Sequence, residues 1–368
     1  MQGKTRVLHI VSSLWSGGVA VLIKNYYEHM DHNEVAFDFL VTDPRPGLTE
    51  EFFKNAGCRI YHLKGHKHFF HSFFKTISIV RKNHYRIVHV HHNDTSFLQL
   101  FAALLGGAKV RIAHSHDELF LKGANKIRKF YCFLTSLFSN YHFACSQNAG
   151  KYLFGKGIKK DNYFLIHNAI DLDKFKYSDE NRMSIREKYN LNGSYVMGNV
   201  GRLAEQKNQL FLLDVLNETI KKEPNSKLVL IGKGADRDLI VERAEKLNLQ
   251  RSIVMIEVAN NVNEILSAFD CFVFPSKHEG LGIAFLEAQA SNLPCVISDR
   301  IPEEAIASDK VSVLSLNESS ETWAKKIVQI FGDKVDRNVD VPLMLKRNYD
   351  ISNEASILQK WYVDHSVK

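Results

Sequence analysis

Two glutamates flank a glycine-rich turn in residues 275–298, which read PSKHEGLGIAFLEAQASNLPCVIS. Glu279 directly precedes Gly280–Gly282, and Glu287 follows seven intervening residues later, in an apolar run with helical spacing. A helix that begins at Gly280–Gly282 directs free backbone N–H groups at an anion such as a phosphate. Glu279 cannot bind that anion and is better suited to accept hydrogen bonds from nearby hydroxyls. Glu287, about two helical turns on, can reach other hydroxyls of the same ligand.

A ligand with a diphosphate flanked by two polyols is a nucleotide sugar, and this is the partner that the pattern predicts. The alternative is that Glu279 is a solvated turn residue and Glu287 a charge on a helix surface. A second turn favours the diphosphate: residues 201–208 read GRLAEQKN, with Arg202 and Lys207 as cations. Arginine binds pyrophosphate bidentately and lysine adds a compact charge. An ordinary solvated turn before a helix is the alternative here.

Phosphate signals elsewhere in the chain are weaker. Gly17-Gly18 follows an apolar run but lacks the GxGxxG pattern. No GxxxxGK[ST] string is present, which argues against an ATPase or GTPase of the P-loop type. Gly201 permits a close approach of the backbone to a ligand, as glycine does in such turns.

Strands that alternate with helices must position these turns. In the first half, the predicted strands are Thr5–Ser12, Phe37–Thr42, Arg59–Leu63, Ile87–His91, Val110–Ala113, Tyr141–Cys145 and Tyr163–Ile166. The alternation restarts at YVMGNVGRL and continues through KLVLIGKG, SIVMIEV, CFVFPS and PCVIS. This pattern predicts an α/β fold with doubly wound parallel sheets, in which ligands bind beyond the carboxyl ends of the strands.

The break between the two alternating halves predicts two domains. A polar stretch from His167 to Asn192 is the expected linker. We expect an acceptor-side Rossmann-like domain at 1–168 and a Rossmann-like domain that binds the nucleotide sugar at 169–345, facing each other across a central cleft. Residues 346–368 include an apolar helical pattern that we expect to pack back on the first domain.

The positive charge of the chain is concentrated in its first half. Residues 1–168 hold 22 Lys and Arg against 11 Asp and Glu, whereas the remainder has a net charge of −4. Phe52–Asn93 contains eight Lys and Arg, eight His and no acid. Such asymmetry indicates an anionic partner, with a solvated surface of no function as the alternative. Nucleic acid is not favoured, because no recognition module or aromatic RNA-binding motif is present.

Composition predicts a cytoplasmic protein, and one basic, aromatic segment predicts contact with the inner face of the membrane. The five cysteines are scattered without a CxxC pair, and neither a signal pattern nor an apolar run of bilayer length is present. FFHSFFKTISIVRK, residues 69–82, predicts an interfacial helix. Its apolar residues would be Phe69, Phe70, Phe73, Phe74 and Ile77, and the basic ones Lys67, Lys75, Arg81 and Lys82. Alternatively, these aromatics pack against the first sheet.

Taken together, these motifs resemble the family 4 retaining glycosyltransferases, which have the GT-B fold. HEGLGIAFLE matches the E-x7-E signature of that family. The resemblance extends over nearly the whole chain through SGGV, His114-Ser115-His116, HNAIDLDKF, NVGRLAEQKNQ, LVLIGKG and DCFVFPSKHEGLGIAFLEAQASNLPCVIS. The sequence looks most like the members that act in exopolysaccharide and capsule biosynthesis.

The resemblance implies a role for each matching residue. Arg202 and Lys207 would contact the donor diphosphate, Glu279 the donor sugar and Glu287 the ribose. The backbone of Gly280, Leu281 and Gly282 would bind the donor phosphate, and Gly17 and Gly18 would let the first turn meet the donor phosphate and the acceptor. A histidine would approach the reacting sugar, and His116 is favoured over His114 because it comes last before the turn.

The implied reaction moves a hexosyl or N-acetylhexosaminyl group from a nucleotide sugar, expected to be a UDP-sugar, to a saccharide or lipid-linked saccharide hydroxyl with retention. No metal or other cofactor is expected, since the leaving diphosphate can accept the proton. Two DxD strings, Asp171–Asp173 and Asp236–Asp238, lie in the linker motif and at a helix start, which does not favour a metal site. A departure from the family occurs at Glu257–Asn261, where many relatives have a glycine and a basic residue near the nucleobase. One alternative is a nucleotide-sugar epimerase of the same fold. Another is an inactive sugar-binding subunit, and the intact Arg202, Lys207, Glu279 and Glu287 disfavour this second alternative.

Overall fold

The computed structural model describes residues 4–15, 18–43, 45–63, 69–116, 126–155, 163–259, 261–333, 336–338 and 341–367. The chain forms two compact units: Met1–Ala169 together with Asn348–Lys368, and Ile170–Arg347. Each unit has its own sheet and its own apolar core. All strand pairs among these described residues are parallel, which confirms the predicted class of two doubly wound α/β sheets.

The sheet of the first unit has seven strands. They are β1 (Thr5–Val11), β2 (Val35–Val41), β3 (Ile60–His62), β4 (Ile87–Val90), β5 (Val110–Ser115), β6 (Tyr141–Ala144) and β7 (Tyr163–Leu165). Their order across the sheet is β3-β2-β1-β4-β5-β6-β7. The sequence order therefore reverses between β1 and β4, so that the connections after these two strands diverge there.

Six described helices of the first unit connect these strands. They are α1 (Gly18–Glu28), α2 (Glu50–Asn55), α3 (Phe69–Lys82), α4 (Phe97–Gly106), α5 (Lys126–Phe138) and α6 (Gln147–Phe154). Alternate side chains of a strand point to opposite faces of the sheet. Val7 and Phe37 accordingly pack into one core cluster, whereas Leu8 and Val88 pack into another. Both faces of the sheet are buried, which explains why its strands are nearly continuous apolar runs.

The sheet of the second unit has six strands. They are β8 (Tyr195–Val200), β9 (Ser226–Ile231), β10 (Ile253–Ile256), β11 (Cys271–Phe274), β12 (Cys295–Ser298) and β13 (Val311–Leu314). Their order is β10-β9-β8-β11-β12-β13. The described helices are α7 (Asp179–Lys188), α8 (Gln209–Ile220), α9 (Arg237–Lys246), α10 (Val262–Ala268), α11 (Ile283–Ala290), α12 (Ser320–Gly332) and α13 (Pro342–Lys346).

The helix α7 lies within the stretch that the sequence indicated as a linker, so that part of the prediction is wrong. The helix is capped by the hydroxyl of Ser178, which accepts a hydrogen bond from a backbone N–H of the first turn. Ile185 is its buried residue, so no apolar period marks it in the sequence. The helix is held instead by Arg182 and Arg186, each with a guanidinium nitrogen 2.5 Å from a carboxylate oxygen of Asp270.

The helix α14 (Ile351–Val367) packs on the first unit, as expected. Tyr362 is fully buried, and its ring meets Phe37 edge-on with ring centres 5.8 Å apart. The hydroxyl of Thr5, at the start of β1, donates a hydrogen bond to Ser366 near the end of the helix, at 3.0 Å. This last helix therefore belongs to the core of the first unit.

Candidate active site

The carboxyl ends of β8 and β11 form the switch point of the second sheet. β8 pairs with β9 on one side and with β11 on the other, and the chain leaves these two strands in opposite directions. The connections that follow them, residues 201–208 and 275–282, therefore lie side by side. Open α/β sheets bind ligands in the crevice at such a point.

Lys207 and Glu279 form an ion pair between the two connections. Lys207 Nζ is 2.7 Å from Glu279 Oε1, and the side chains are 16% and 7% exposed. The ammonium also lies 4.7 Å from the centre of the Phe274 ring. A Cβ at Gly201 would come within 3.2 Å of Lys207 Cε, so a glycine at this position leaves room for the lysine stem. The sequence predicted a role for both charged residues but not their pairing.

A second, exposed ion pair joins the same two connections with the charges exchanged. Lys277 Nζ is 2.9 Å from Glu205 Oε1. Between the two pairs, Gln206 Nε2 donates to the carbonyl oxygen of His278 at 2.9 Å, and the carbonyl oxygen of Gln206 accepts from the N–H of Lys277 at 2.8 Å. These contacts fix the two connections to each other around the partly buried Lys207–Glu279 pair.

The connection after β9 packs tightly against the connection after β8. A Cβ at Gly232 would collide with the carbonyl oxygen of Gly201, and one at Gly234 with that of Leu203. Gly232 has a φ of +142°, which also favours glycine. These close approaches fix the main chain on both sides of Arg202.

The side chain of Arg202 is exposed. Its carbonyl oxygen accepts a hydrogen bond from Gln209 Nε2 at 3.0 Å, which anchors the backbone to the start of α8. Among the described residues, no hydrogen bond or ion pair engages its guanidinium. Arg202 is therefore available to an anionic ligand, whereas Lys207 already has a carboxylate partner.

The helix α11 begins at Ile283, after the turn and not within it, so the predicted start at Gly280–Gly282 is wrong. Gly282 has a φ of +84° and is the N-cap residue of the helix, in a left-handed conformation that favours glycine. Leu281 is buried, and Gly280 is partly exposed. A Cβ at Gly282 would lie 3.1 Å from the ring of Phe274. Phe274, whose ring contacts the Lys207 ammonium, therefore also limits the size of the residue at position 282.

Glu287, on α11, has a perturbed carboxyl group. Burial raises its pKa to about 7, and the charge of Lys174 offsets only part of this effect. No described residue donates a hydrogen bond to its carboxylate. A ligand whose hydroxyls donate to this carboxylate would favour the ionised form and lower the pKa.

The two histidines that the sequence singled out lie at the end of β5. His114 is 1% exposed, while His116 follows the strand and is partly exposed, and their stacked rings have centres 3.9 Å apart. Burial lowers the pKa of both, to about 3 for His116, so both are neutral. Gly18 begins α1, with open space around its Cβ position, and Gly17 lies outside the described residues.

Sequence reasoning missed three further histidines beside these two. His9, His89 and His91 are buried, and their rings contact one another and those of His114 and His116. The signal was present as two His-x-His strings, because alternation places residues two apart on the same face of a strand.

The two DxD strings make ordinary local contacts. Asp173 pairs with Lys176 at 2.7 Å, and Asp238 lies 3.7 Å from the guanidinium of Arg237. Asp171 accepts a hydrogen bond from a backbone N–H three residues later. Within the described part of the chain, neither string contributes to a group of three side chains suited to a metal ion.

Comparison with known proteins places both units in recognised groups. The family model "Glycosyl transferases group 1" matches residues 181–341, and the family model "Glycosyltransferase Family 4" matches residues 16–174. EpsF of Bacillus subtilis (strain 168), whose name includes the word glycosyltransferase, is 33% identical over 339 residues, 88% of this chain and 87% of that protein. The Escherichia coli UDP-Gal:alpha-D-GlcNAc-diphosphoundecaprenol alpha-1,3-galactosyltransferase is 28% identical over 308 residues, 80% of this chain and 78% of that protein.

The fold is shared with solved glycosyltransferase structures. The crystal structure of Anabaena Alr3699/HepE in complex with UDP and glucose aligns with a TM-score of 0.75, covering 98% of this chain and 97% of that chain at 15% identity. At that identity the likeness concerns the fold, and it confirms the predicted GT-B architecture. With the similarity to EpsF over most of both chains, these findings show that the chain belongs to the family 4 glycosyltransferases and is a glycosyltransferase enzyme.

Proposed function

We propose that this enzyme transfers a hexosyl or N-acetylhexosaminyl group from a nucleotide sugar, in the first place a UDP-sugar, to a hydroxyl of a saccharide or lipid-linked saccharide, with retention. Its product would belong to a surface polysaccharide of exopolysaccharide or capsule type. The observation that carries the proposal is the partly buried Lys207–Glu279 pair at the switch point. The names of the Escherichia coli relative and of the Anabaena complex support UDP, and the former also supports a lipid-linked acceptor.

On donor binding, Lys207 and Glu279 would separate, and each would contact a different part of the same ligand. Diphosphate oxygens would replace the carboxylate as partner of Lys207 Nζ, and the exposed Arg202 would bind the same diphosphate bidentately. Glu279 would then accept hydrogen bonds from donor-sugar hydroxyls. Glu287 would accept those of the ribose, and the backbone of the turn at 280–282 would approach the phosphate.

Transfer would need no protein nucleophile. The cations stabilise the charge that develops on the diphosphate as its bond to the anomeric carbon breaks. The departing diphosphate accepts the proton of the incoming hydroxyl, which then bonds to the same face of the sugar and retains the configuration. In this proposal His116 approaches the sugar, and positioning replaces metal or cofactor chemistry.

The connection after β10 would border the nucleobase. Here Glu257 is 3.3 Å from Lys233 Nζ and 3.3 Å from Arg237 Nε. Glu257 therefore pairs with two cations that follow the neighbouring strand β9. Many family members have a glycine and a basic residue at this place instead. Asn260 lies outside the described residues. Because of this departure, the preferred nucleobase is determined by testing a panel of donors.

A screen of UDP-, GDP-, ADP- and TDP-sugars tests the proposal. A donor at 100 times its dissociation constant should stabilise the protein by about 2.7 kcal/mol, which a thermal shift detects. Transfer from that donor to a saccharide or lipid-linked acceptor should follow, and the anomeric configuration of the product is read by NMR. Conversion of the nucleotide sugar without an acceptor would indicate the epimerase. If no nucleotide sugar shifts the melting temperature, the assignment is wrong.

We further propose that the first unit docks on the cytoplasmic face of the membrane through α3 and α5. The predicted helix over residues 69–82 is confirmed as α3. Phe73 packs inward, with its ring centre 5.6 Å from that of Phe101, whereas Phe74 is 63% exposed. Lys67 and the side chains of Phe69 and Phe70 lie outside the described residues. The helix thus combines both alternatives: one ring packs against the neighbouring helix α4 and another faces solvent.

The larger apolar surface is on α5, which the sequence did not single out. Ile127, Phe130, Phe133 and Leu137 are each more than half exposed. They recur every three or four residues and form one stripe. Exposed basic residues accompany this stripe and Phe74: Lys75, Lys126 and Lys129. Apolar stripes flanked by lysines are typical of helices that lie on anionic lipid, which suits the +11 charge of residues 1–168.

Co-sedimentation with vesicles tests this docking. Wild-type protein should sediment with anionic vesicles at low salt, and less as the salt concentration rises. Changing Lys75, Lys126 and Lys129 to glutamine should weaken binding by about 100-fold, at about 1 kcal/mol for each charge. None of the helices in the described ranges has the length and apolar character of a membrane span.

The apolar contribution has a matched control. Changing Phe130 and Phe133 to serine should reduce vesicle binding. Leu239→Ser, at a 51% exposed position on α9 of the second unit, should not. If wild-type protein stays in the supernatant with anionic vesicles at low salt, the docking proposal is wrong and a soluble acceptor is favoured.

A further inference from the structure

Five histidines of the first unit lie on one face of its sheet. His9 is on β1, His89 on β4 and His114 on β5, and His91 and His116 follow the ends of β4 and β5. The parallel register pairs His9 with His89, and residues two apart in a strand share a face. β1, β4 and β5 are neighbours, so the five imidazoles converge. We refer to them as the histidine cluster.

Imidazole nitrogens from different strands lie close together in this cluster. His91 Nε2 is 3.0 Å from His9 Nδ1, and His91 Nδ1 is 2.8 Å from His116 Nε2. His89 Nε2 is 3.1 Å from His114 Nδ1. In two triads, His9–His89–His91 and His91–His114–His116, one nitrogen from each ring lies within 4.8 Å of the others. Nitrogens around a tetrahedral zinc ion, at bonds of about 2.1 Å, are about 3.4 Å apart, so small ring rotations would bring a triad to that geometry.

The cluster also has unused ligand atoms and space. The Nε2 atoms of His9 and His114 are buried and have no hydrogen-bond partner among the described residues. A cavity of about 20 Å³, room for one water-sized guest, borders both rings together with His89, His91 and Tyr362, and its remaining walls are mostly apolar side chains such as Leu22, Phe37 and Leu358.

We propose that the histidine cluster binds one first-row transition-metal ion of the Zn²⁺ class, held by three imidazoles of one triad. Imidazole donors suit Zn²⁺, Cu²⁺ and Ni²⁺, whereas Mg²⁺ and Ca²⁺ take oxygen ligands. His116 is the partly exposed member, so the ion would enter beyond the carboxyl ends of β4 and β5.

The bound ion would join strands of the first unit and take no part in sugar transfer. In the His91–His114–His116 triad, metal ligation would withdraw His116 from the reacting sugar, so occupancy should inhibit the enzyme. That inhibition rests on the proposed function, but the binding itself does not. Binding and transfer are therefore measured separately.

Co²⁺ is the probe, added to the tag-free full-length chain after chelator treatment and dialysis. Its visible absorption reports tetrahedral ligation by nitrogen, and competition by Zn²⁺ gives the affinity of the biological candidate. We expect one equivalent per chain and an increase in melting temperature. His91→Leu removes the residue common to both triads. It should weaken binding by more than about 100-fold, because even partners that only orient a metal ligand are worth about 10–100-fold.

Two further variants and a matched control keep the test decisive. His9→Leu and His116→Gln each remove a member of one triad, so they identify the triad that holds the ion even if His91→Leu does not fold. His142→Leu alters a partly buried histidine on β6 that packs against Phe154, outside the cluster, and should bind Co²⁺ like wild type. Absence of tetrahedral Co²⁺ absorption in wild type would mean a purely hydrogen-bonded core and overturn the proposal. Equal binding by all variants would mean adventitious surface sites and would also overturn it.

Discussion

Replacing Glu279 by glutamine should separate recognition of the donor sugar from binding of the diphosphate. The substitution keeps the size of the side chain and one acceptor oxygen but removes the charge 2.7 Å from Lys207 Nζ. In wild-type protein the diphosphate must compete with this carboxylate for the lysine. We therefore expect Glu279→Gln to bind the nucleoside diphosphate as tightly as wild type, or more tightly.

The loss in turnover follows from the hydrogen bonds that the carboxylate would make to the donor sugar. A hydrogen bond to a charged group is worth about 1.5–3 kcal/mol, which corresponds to a fall of about 10- to 150-fold in kcat/KM. Lys207→Met, by contrast, should lose about 100- to 1,000-fold in turnover and should also weaken binding of the diphosphate. The two substitutions thus have opposite effects on product affinity.

The assay combines steady-state kinetics with calorimetric titration of the nucleoside diphosphate. Glu205→Gln is the matched control, because Glu205 pairs with Lys277 across the same two connections but is exposed. It should leave both kcat/KM and product affinity unchanged. If the product affinity of Glu279→Gln falls by the same factor as its kcat/KM, Glu279 only positions Lys207. Wild-type turnover in the variant would refute its role in the reaction altogether.

Two further predictions concern the carboxylates of Glu287 and Asp270. Because the pKa of Glu287 is raised to about 7 from 4.5, its charged form destabilises the folded state, and Glu287→Gln should gain stability over wild type as pH rises from 4.5 through 7. Ribose binding should favour the carboxylate, so calorimetric affinity for a nucleotide sugar, whose diphosphate does not titrate here, should rise from pH 6 to 8 in wild type but not in the variant. Asp270→Asn should lower the free energy of unfolding by about 2–4 kcal/mol in urea titrations, because it leaves Arg182 and Arg186 without their shared carboxylate. Asp214→Asn, which breaks an exposed pair, should cost less than about 1 kcal/mol, and equal losses in the two variants would contradict the reasoning.

The sheets were predictable from the sequence because most of their strands are buried on both faces and read as apolar runs. Strand ends were less accurate: Val110–Ala113 was predicted, whereas β5 continues through His114 and Ser115. Both residues are polar and buried, so hydrogen bonding to neighbouring strands extends the ladder beyond the apolar run. The edge strand β13, whose four residues are all at least partly exposed, was not among the predicted strands.

The partners within each site were not predictable, because strand order decides them. Lys207 and Glu279 were each identified as charged residues at a strand end. Their ion pair follows from β11 lying beside β8, which alternation along the chain does not specify. The same applies to His9 and His89, which the register of β1 and β4 brings together across 80 residues of sequence. A pattern of residue types thus singled out the charged side chains at the strand ends, while tertiary pairing determined which groups meet.

The position of α14 has a consequence for biosynthesis of the chain. Tyr26 and Phe37 belong to the same core cluster as Leu358 and Tyr362 of this helix. The entire second unit lies between them in the sequence. During translation, the second unit can therefore form its complete core while the first still exposes aromatic surface that α14 will cover. Domains usually fold in the order in which they emerge from the ribosome, but here the unit synthesised first is completed last.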